Sequence, residues 1–443
     1  MSELRRRLER YLGPANRARP TEARDEKVAR LRAELARLFP SGGGELPPPP
    51  SYRRHAPCAA RVVPAAPSPG PVSIEEVVPG ARVETVAGPV FLARSRVRIE
   101  PRPDRTVMAP EEWRLLGGHA AAGPVAFERI LFLDTETTGL SGGTGTLAFL
   151  IGWGWFETEG ELTIEQAFLD GPQDEPAALA LLAERSASFD AHVTFNGRTF
   201  DLPLLETRYA MARRRAPFSG HLGLDLLPAS RRLWGAFFEE FRLGALEEGV
   251  LGRGRDADVP GSEIPGIYFR YLRDRDARPL SPVFEHNARD IASMAALLDT
   301  ALDTLAGQGP ERLVDRFALG LLWERHGDFA RAREWYARAL SQGAPGDRAA
   351  RAAARLSLLH KRREEWGRAI DLWEDLFELP EWRAFAGEEI AKFLEHREGS
   401  FARAVERVDA VLASLGTRDA ATREDFLHRR ERLLRRISHD RII

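Results

Sequence analysis

Two patterns of hydrophobic and polar positions follow one another along this chain. From about residue 125 to residue 305, short apolar runs alternate with stretches of helical spacing. Residues 130–133 form a continuous apolar run, which suits a strand that is covered on both faces. Residues 151–156 and 162–169 follow without an intervening helix and predict a three-stranded antiparallel meander. This alternation predicts a mixed sheet flanked by helices.

The neighbouring segments fit the same architecture. Further elements are expected in this region: helices over residues 178–184 and 202–215, and strands over residues 191–195 and 221–226. Upstream, residues 82–86 and 90–92 flank Gly88 and Pro89 and predict a β-hairpin. We therefore expect a small β lead-in over residues 73–124, followed by the main α/β domain over residues 125–305.

After residue 310 the strand signals end and a repeat begins. Phe329, Trp366 and Phe401 each open a short motif that ends in Arg-Ala, and they are 37 and 35 residues apart. Gly327 and Gly399 precede two of the three copies. The spacing is close to the period of about 34 residues in tetratricopeptide repeats. We expect tetratricopeptide-like helical repeats over residues 310–443, closed by a basic helix over residues 423–436.

The first part of the chain shows a third pattern. Apolar positions in residues 1–39 have the spacing of short amphipathic helices. Residues 40–72 contain ten of the 30 prolines. Because proline lacks an amide donor and restricts the backbone, this stretch is expected to be a linker.

Composition excludes several classes of protein. The 443 residues include 64 basic and 66 acidic side chains, so the net charge of −2 provides no general attraction for polyanions. The single Cys58 excludes an intramolecular disulfide framework and a zinc site built on several cysteines. No apolar run reaches the roughly 18 residues that a membrane span needs, and the first residues lack a secretory core. We expect a soluble cytoplasmic protein without a membrane partner.

Candidate chemistry begins at the end of the first strand of the main domain. Asp134 and Glu136 are two residues apart, so a strand directs both carboxylates to the same face. Two neighbouring carboxylates repel each other unless a cation or a shared proton neutralises them. A divalent cation with oxygen ligands fits this pair. The alternative is a cluster of turn-forming acidic and threonine residues.

Two later segments add acidic positions. Asp201 follows the strand at residues 191–195 and begins a predicted helix, where it serves either as a site residue or as a helix N-cap. His286 and Asp290 are four residues apart, so a helix places them on one face. Their alternative role is a hydrogen-bonded pair on the helix surface.

Taken together, these segments resemble the DEDD superfamily of exonucleases, which have a ribonuclease-H-like fold. Asp134 and Glu136 match its first motif, Asn196 with Phe200 and Asp201 its second, and His286 with Asp290 its third. The run Asp-Thr-Glu-Thr-Thr-Gly-Leu at residues 134–140 is most similar to YprB-type domains. The resemblance covers residues 125–305. It departs from the histidine branch at one point, because three residues rather than four separate His286 from Asp290.

The resemblance implies a metal-dependent nuclease, most simply a 3′-to-5′ exonuclease that acts on single-stranded ends of DNA or RNA. Two Mg²⁺ or Mn²⁺ ions would be held by four carboxylates, those of Asp134, Glu136, Asp201 and Asp290. His286 would accept a proton from the attacking water, since histidine exchanges protons near neutral pH. The alternative from another functional class is a non-catalytic scaffold that binds nucleic acid or a protein partner through the helical repeats.

Three groups of arginines are candidates for contacts with phosphates: residues 213–215, residues 231–232, and Arg270 with Arg273 and Arg275. Because most basic runs are solvated surface, we expect only one of these groups to contact nucleic acid.

Overall fold

The structure of the protein, a computed structural model, describes residues 70–440 except residues 100–105, 119–120, 140–143, 159, 256–257, 343, 345–346 and 416–419. The helices predicted within residues 1–39 lie outside the described residues. So does the proline-rich stretch, apart from residues 70–72. From Pro71 onward the described elements belong to one compact unit.

Seven strands form one mixed sheet in the order β1-β2-β7-β6-β5-β8-β9. The strands of the chain are β1 (Gly80–Thr85), β2 (Gly88–Arg98), β3 (Val107–Met108), β4 (Val125–Ala126), β5 (Ile130–Thr137), β6 (Ala148–Thr158), β7 (Glu161–Phe168), β8 (Ala191–Thr194) and β9 (Leu222–Asp225). Neighbours from β1 to β5 pair antiparallel, whereas β5, β8 and β9 are parallel. Strands β3 and β4 form a separate pair.

The predicted meander and hairpin are both confirmed. Strands β5, β6 and β7 pair antiparallel in sequence order, and β1 with β2 forms the hairpin that turns at Gly88. The lead-in segment is less separate than its sequence indicates, because β2 pairs with β7 along eight residues from Phe91 to Arg98. Residues 73–124 thus supply two strands of the main sheet, because β2 continues past Val97 to Arg98.

Besides short 3-10 and π segments, eight α-helices accompany the sheet in the described residues: α1 (Ile74–Val77), α2 (Pro110–Gly117), α3 (Glu175–Ser186), α4 (Asp201–Met211), α5 (Leu226–Trp234), α6 (Leu243–Leu246), α7 (Ile264–Asp274) and α8 (Ser281–Ala306). The longest, α8, packs across β5, β6 and β7. Glycines in β6 permit this approach. A Cβ atom at Gly154 would lie 2.7 Å from a methyl carbon of Ile291, and one at Gly152 would overlap Asn287.

Beyond residue 310 the described chain contains helices and no strand. They are α9 (Arg316–Arg325), α10 (Phe329–Gln342), α11 (Arg348–Arg362), α12 (Trp366–Phe377), α13 (Arg383–Phe393), α14 (Phe401–Ser414) and α15 (Ala420–Asp440). Each helix packs against the next one in sequence. The fold class is therefore confirmed as a mixed α/β sheet domain followed by an all-helical region. That the helices belong to the tetratricopeptide class stays a prediction.

The repeated motif marks equivalent structural positions. Phe329, Trp366 and Phe401 begin α10, α12 and α14, and the alanine three residues later is fully buried in each copy. An arginine from a later helix lies over each aromatic ring, with its guanidinium carbon 4.1, 4.8 and 5.6 Å from the ring centroid. These cation–π contacts join successive helix pairs at one repeated position.

A left-handed residue precedes each copy of the motif. Gly327 and Gly399 have φ values of 83° and 67°, which explains why glycine occurs there. The third copy has Glu364 at the equivalent position, with φ 59°. A side chain is unfavourable in this conformation, so Glu364 stores backbone strain.

Among the described helices, none has both the length and the apolar character needed to cross a membrane.

We predict that Glu364→Gly is more stable than Glu364→Ala by about 1 kcal/mol, because only glycine relieves the left-handed strain. Both variants lose the exposed ion pair between Glu364 and Arg397, so the comparison isolates the backbone. Urea unfolding measures the difference. Equal stability of the two variants would contradict the assignment of strain to this position.

Candidate active site

The first two acidic residues lie on β5, in the middle of the sheet. Asp134 is paired with Gly152 and Glu136 with Leu150 of β6. The preceding residues, 130–133, are completely buried, whereas residues 134–137 are half-buried. The alternation along the strand therefore presents both carboxylates where β5 leaves the core, as the sequence predicts.

Asp201 reaches the same region from the neighbouring strand. Because β8 runs parallel to β5, their carboxyl ends lie at one edge of the sheet, and α4 begins there with Asp201. The carboxylate is 9% exposed and accepts a hydrogen bond from the Thr135 hydroxyl of β5. The N-cap residue of α4 is Phe200, so the alternative role of Asp201 as the N-cap is wrong.

Asp225, a residue that the sequence does not single out, holds the turn that leads to Asp201. Asn196 has a φ of 63°, a conformation that asparagine tolerates. Its backbone N–H donates to Asp225 Oδ1 at 2.8 Å, and the N–H of Arg198 donates to Oδ2 at 3.2 Å. Asp225 also accepts from the backbone N–H of Leu227 and so caps α5. One carboxylate at the end of β9 thus fixes two chain segments.

His286 and Asp290 face the acidic residues from α8. His286 Nε2 lies 3.7 Å from Asp290 Oδ2 and 3.9 Å from Glu136 Oε1. The other ring nitrogen, Nδ1, lies 2.9 Å from Asp258 Oδ1. Although burial raises the pKa of Asp258, hydrogen bonds from His286 and Arg255 lower it overall. An ionised Asp258 accepts the proton of Nδ1–H, which orients the ring with Nε2 toward Glu136 and Asp290.

Asn287 connects Asp134 to the core. It is fully buried, and its Nδ2 donates to Asp134 Oδ2 at 2.7 Å. Its Oδ1 accepts a 2.8 Å hydrogen bond from Gln166 of β7, whose Nε2 also donates to the Phe284 carbonyl. The orientation of Asp134 therefore depends on a chain of buried amides that spans β5, β7 and α8.

Arg255 supplies the positive charge of this region. It donates to Asp290, to Asp258 at 2.8 Å and to Glu247, which is 2% exposed. Three carboxylates thus share one guanidinium. Arg255 and Asp258 lie in a stretch with no periodic pattern, so sequence reasoning had no signal for either residue.

Burial and mutual repulsion govern protonation in the pocket. Burial, reinforced by the charges of Asp290, Asp201 and Glu136, raises the pKa of Asp134 well above its ordinary value. Burial, with the charges of Asp290, Asp201 and Asp258, raises the pKa of Glu136 to about 8. Burial raises the pKa of Asp201 to about 6, although the Thr135 hydrogen bond opposes this shift. Burial also raises the pKa of Asp290 despite His286 and Arg255. Four carboxylates from three chain segments are therefore close enough to disfavour each other's ionisation.

The donor set fits a hard divalent cation, because it consists of carboxylate oxygens in a buried acidic pocket. Among the described residues, no group of three or more His, Cys, Asp or Glu side chains is already arranged to hold a metal ion. Asp134, Asp201 and Asp290 are instead engaged by Asn287, Thr135 and Arg255. These hydrogen bonds and ion pairs are the interactions that a bound cation would replace or share.

Comparison with known proteins covers the same region. A family model described as RNase_H superfamily matches residues 131–302, a range that contains all five predicted site residues. Over 315 residues, the chain is 30% identical to YprB of Bacillus subtilis (strain 168), a protein described as uncharacterized. The alignment covers 70% of this chain and 75% of that relative.

We predict that Gly152→Ala destabilises the protein by about 1–3 kcal/mol, because its Cβ would overlap Asn287 Oδ1 and displace the amide that holds Asp134. Gly367→Ala is the control, since a Cβ there contacts nothing within 4 Å. Chemical denaturation compares the two. A Gly152→Ala protein as stable as the control would contradict the proposed close packing.

We also predict that the metal-free protein loses stability as the pH rises from about 4.5 to 8. Glu136, with its folded pKa near 8, stays protonated in this window, whereas the unfolded chain releases that proton. The folded state therefore binds more protons, and raising the pH favours unfolding. Thermal unfolding in EDTA measures the slope, which Glu136→Gln should reduce. An unchanged slope in that variant would contradict the assignment.

Proposed function

Because the chain belongs to the YprB family and carries an RNase H superfamily domain, we propose that it is a metal-dependent nuclease that hydrolyses phosphodiester bonds of DNA or RNA. RNase H-like nucleases generally use divalent metal ions, which agrees with the acidic pocket. The observation that carries the proposal is the convergence of Asp134, Glu136, Asp201 and Asp290, each with a raised pKa.

The four carboxylates would hold two Mg²⁺ or Mn²⁺ ions. Such ions stabilise the charge that develops on the attacking and leaving oxygens of a phosphodiester displacement. Asn287 would keep Asp134 oriented toward the pocket, and Thr135 would do the same for Asp201. Without metal ions, the positive charge of Arg255, which donates to Asp290, partly balances the negative charge of the carboxylates.

His286 is the proposed general base. The water oxygen would attack phosphorus while the water proton passes to His286 Nε2, and the bond to the leaving oxygen breaks. In this proposal Asp258 would accept from Nδ1–H throughout, so that Nε2 is the ring nitrogen that would receive the proton. With a side chain that is 13% exposed, His286 lies within the pocket wall rather than on the helix surface.

We propose 3′-to-5′ exonuclease action on single-stranded ends as the specific activity. The resemblance to DEDD exonucleases supports this choice. So does Phe200, which is 52% exposed directly beside the buried Asp201. An exposed aromatic ring next to the reaction centre can stack on an unpaired base.

The test uses 5′-labelled single-stranded DNA and RNA with Mg²⁺ or Mn²⁺. We expect the wild type to shorten the strands from the 3′ end and to leave circular single strands intact. Asp134→Asn should abolish cleavage, and His286→Gln should lower kcat by about 10²–10⁴-fold. Asp371→Asn, on the exposed surface of α12, is the matched control and should behave as the wild type. If Asp134→Asn gave the wild-type products, the nuclease proposal would fail.

A further inference from the structure

A cavity of about 350 Å³ lies between the sheet domain and the first helices of the repeat region. One wall is α5, which contributes Arg231 and Arg232. The opposite wall comes from α9 and α11, which contribute Arg325 and Arg348. Four arginines from two parts of the chain thus surround one concave space whose volume is within the range of small-ligand sites.

Among the described residues, only one of the four arginines at this cavity is paired with a carboxylate. Arg348 pairs with Asp315 at 2.5 Å, and the same carboxylate accepts from the backbone N–H of Ala318 at the start of α9. Within the part of the chain that the structure describes, Arg231, Arg232 and Arg325 have no carboxylate within 4.0 Å. An excess of positive charge therefore faces the cavity.

The position of Arg232 makes this excess unfavourable without an anion. Arg232 is half-buried and donates to the Leu116 carbonyl. Burial and the nearby charge of Arg325 both lower its pKa. Like charges at a partly buried surface repel each other and are stabilised by an oxyanion placed between them.

Members of the other two arginine groups of the sequence are placed differently. Arg273 is paired with Asp274, and Arg275 is paired with Asp170. Arg213 has a φ of 53° and lies in an exposed turn. Residues 231–232 are thus the group that the fold places in one cavity with another arginine that is unpaired in the described chain, Arg325.

We propose that this cavity binds a phosphate group, carried either by a nucleic-acid strand or by a free nucleotide. Guanidinium groups match the geometry of phosphate oxygens and form charge-assisted hydrogen bonds with them. In the strand form, the cavity would hold a backbone phosphate of the nuclease substrate, and this form rests on the proposed function. The free-nucleotide form does not depend on it.

The test uses the full chain in EDTA, so that metal-dependent cleavage cannot occur. The double variant Arg231→Gln and Arg325→Gln removes two unpaired charges but preserves the Arg232–Leu116 and Arg348–Asp315 contacts. Arg435→Gln, at an exposed position of α15, controls for the loss of surface charge. Fluorescence anisotropy measures binding of a short single-stranded oligonucleotide, and calorimetry measures binding of inorganic phosphate and AMP.

We expect the double variant to bind the oligonucleotide at least about tenfold more weakly than the wild type and the control. The salt dependence of binding, as log K against log salt, should become shallower by about 1.4 for two lost phosphate contacts. Loss of AMP and phosphate binding with unchanged oligonucleotide binding would identify the free nucleotide as the ligand. Equal binding of all three probes by wild type and double variant would overturn the cavity proposal. Phosphate binding in EDTA by a wild type that cleaves no strand in the separate assay with Mg²⁺ or Mn²⁺ would refute the nuclease proposal alone.

Discussion

Repulsion among buried carboxylates is the constraint on which the rest of this site depends. Asp134, Glu136, Asp201 and Asp290 share a region from which water is largely excluded, and each raises the cost of ionising another. A fold that only needed stability would place apolar side chains there. The arrangement becomes favourable when protons or cations enter the pocket. The same repulsion therefore links the pH dependence of stability to the proposed metal chemistry.

The topology of the sheet brings these carboxylates together. Strand β5 separates an antiparallel half from a parallel half, so its carboxyl end lies beside that of β8 and under α8. Gly152 and Gly154 let α8 approach closely enough for Asn287 to reach Asp134. The amide chain through Gln166 then anchors the site to β7. The contacts that orient the site residues are thus also contacts that pack α8 onto the sheet.

Local periodicity predicts the parts of this architecture that depend on neighbouring residues. The two-residue spacing of Asp134 and Glu136 and the helical spacing of His286 and Asp290 predict which side chains share a face. Contacts between distant segments leave no such signal. The pairing of β2 with β7 depends on chain segments that are far apart in sequence, which is why residues 73–124 look separate. Likewise, the contacts of Arg255 and Asp258 with α8 depend on the path of an irregular loop. Asn287 lies in the predicted segment that carries His286 and Asp290. Its hydrogen bond to Asp134, however, depends on the close approach of α8 that Gly152 permits, and that segment alone does not indicate it.

The most direct test of the central claim is crystallography of the protein with Mn²⁺, using the anomalous signal of manganese to locate the ions. The account predicts manganese peaks bound by the carboxylates of Asp134, Glu136, Asp201 and Asp290, with His286 Nε2 facing the same space. Crystals of the Asp134→Asn variant should have weaker peaks or none. A wild-type map without manganese at these carboxylates, or with Asp201 and Asp290 turned away from Asp134, would contradict the account.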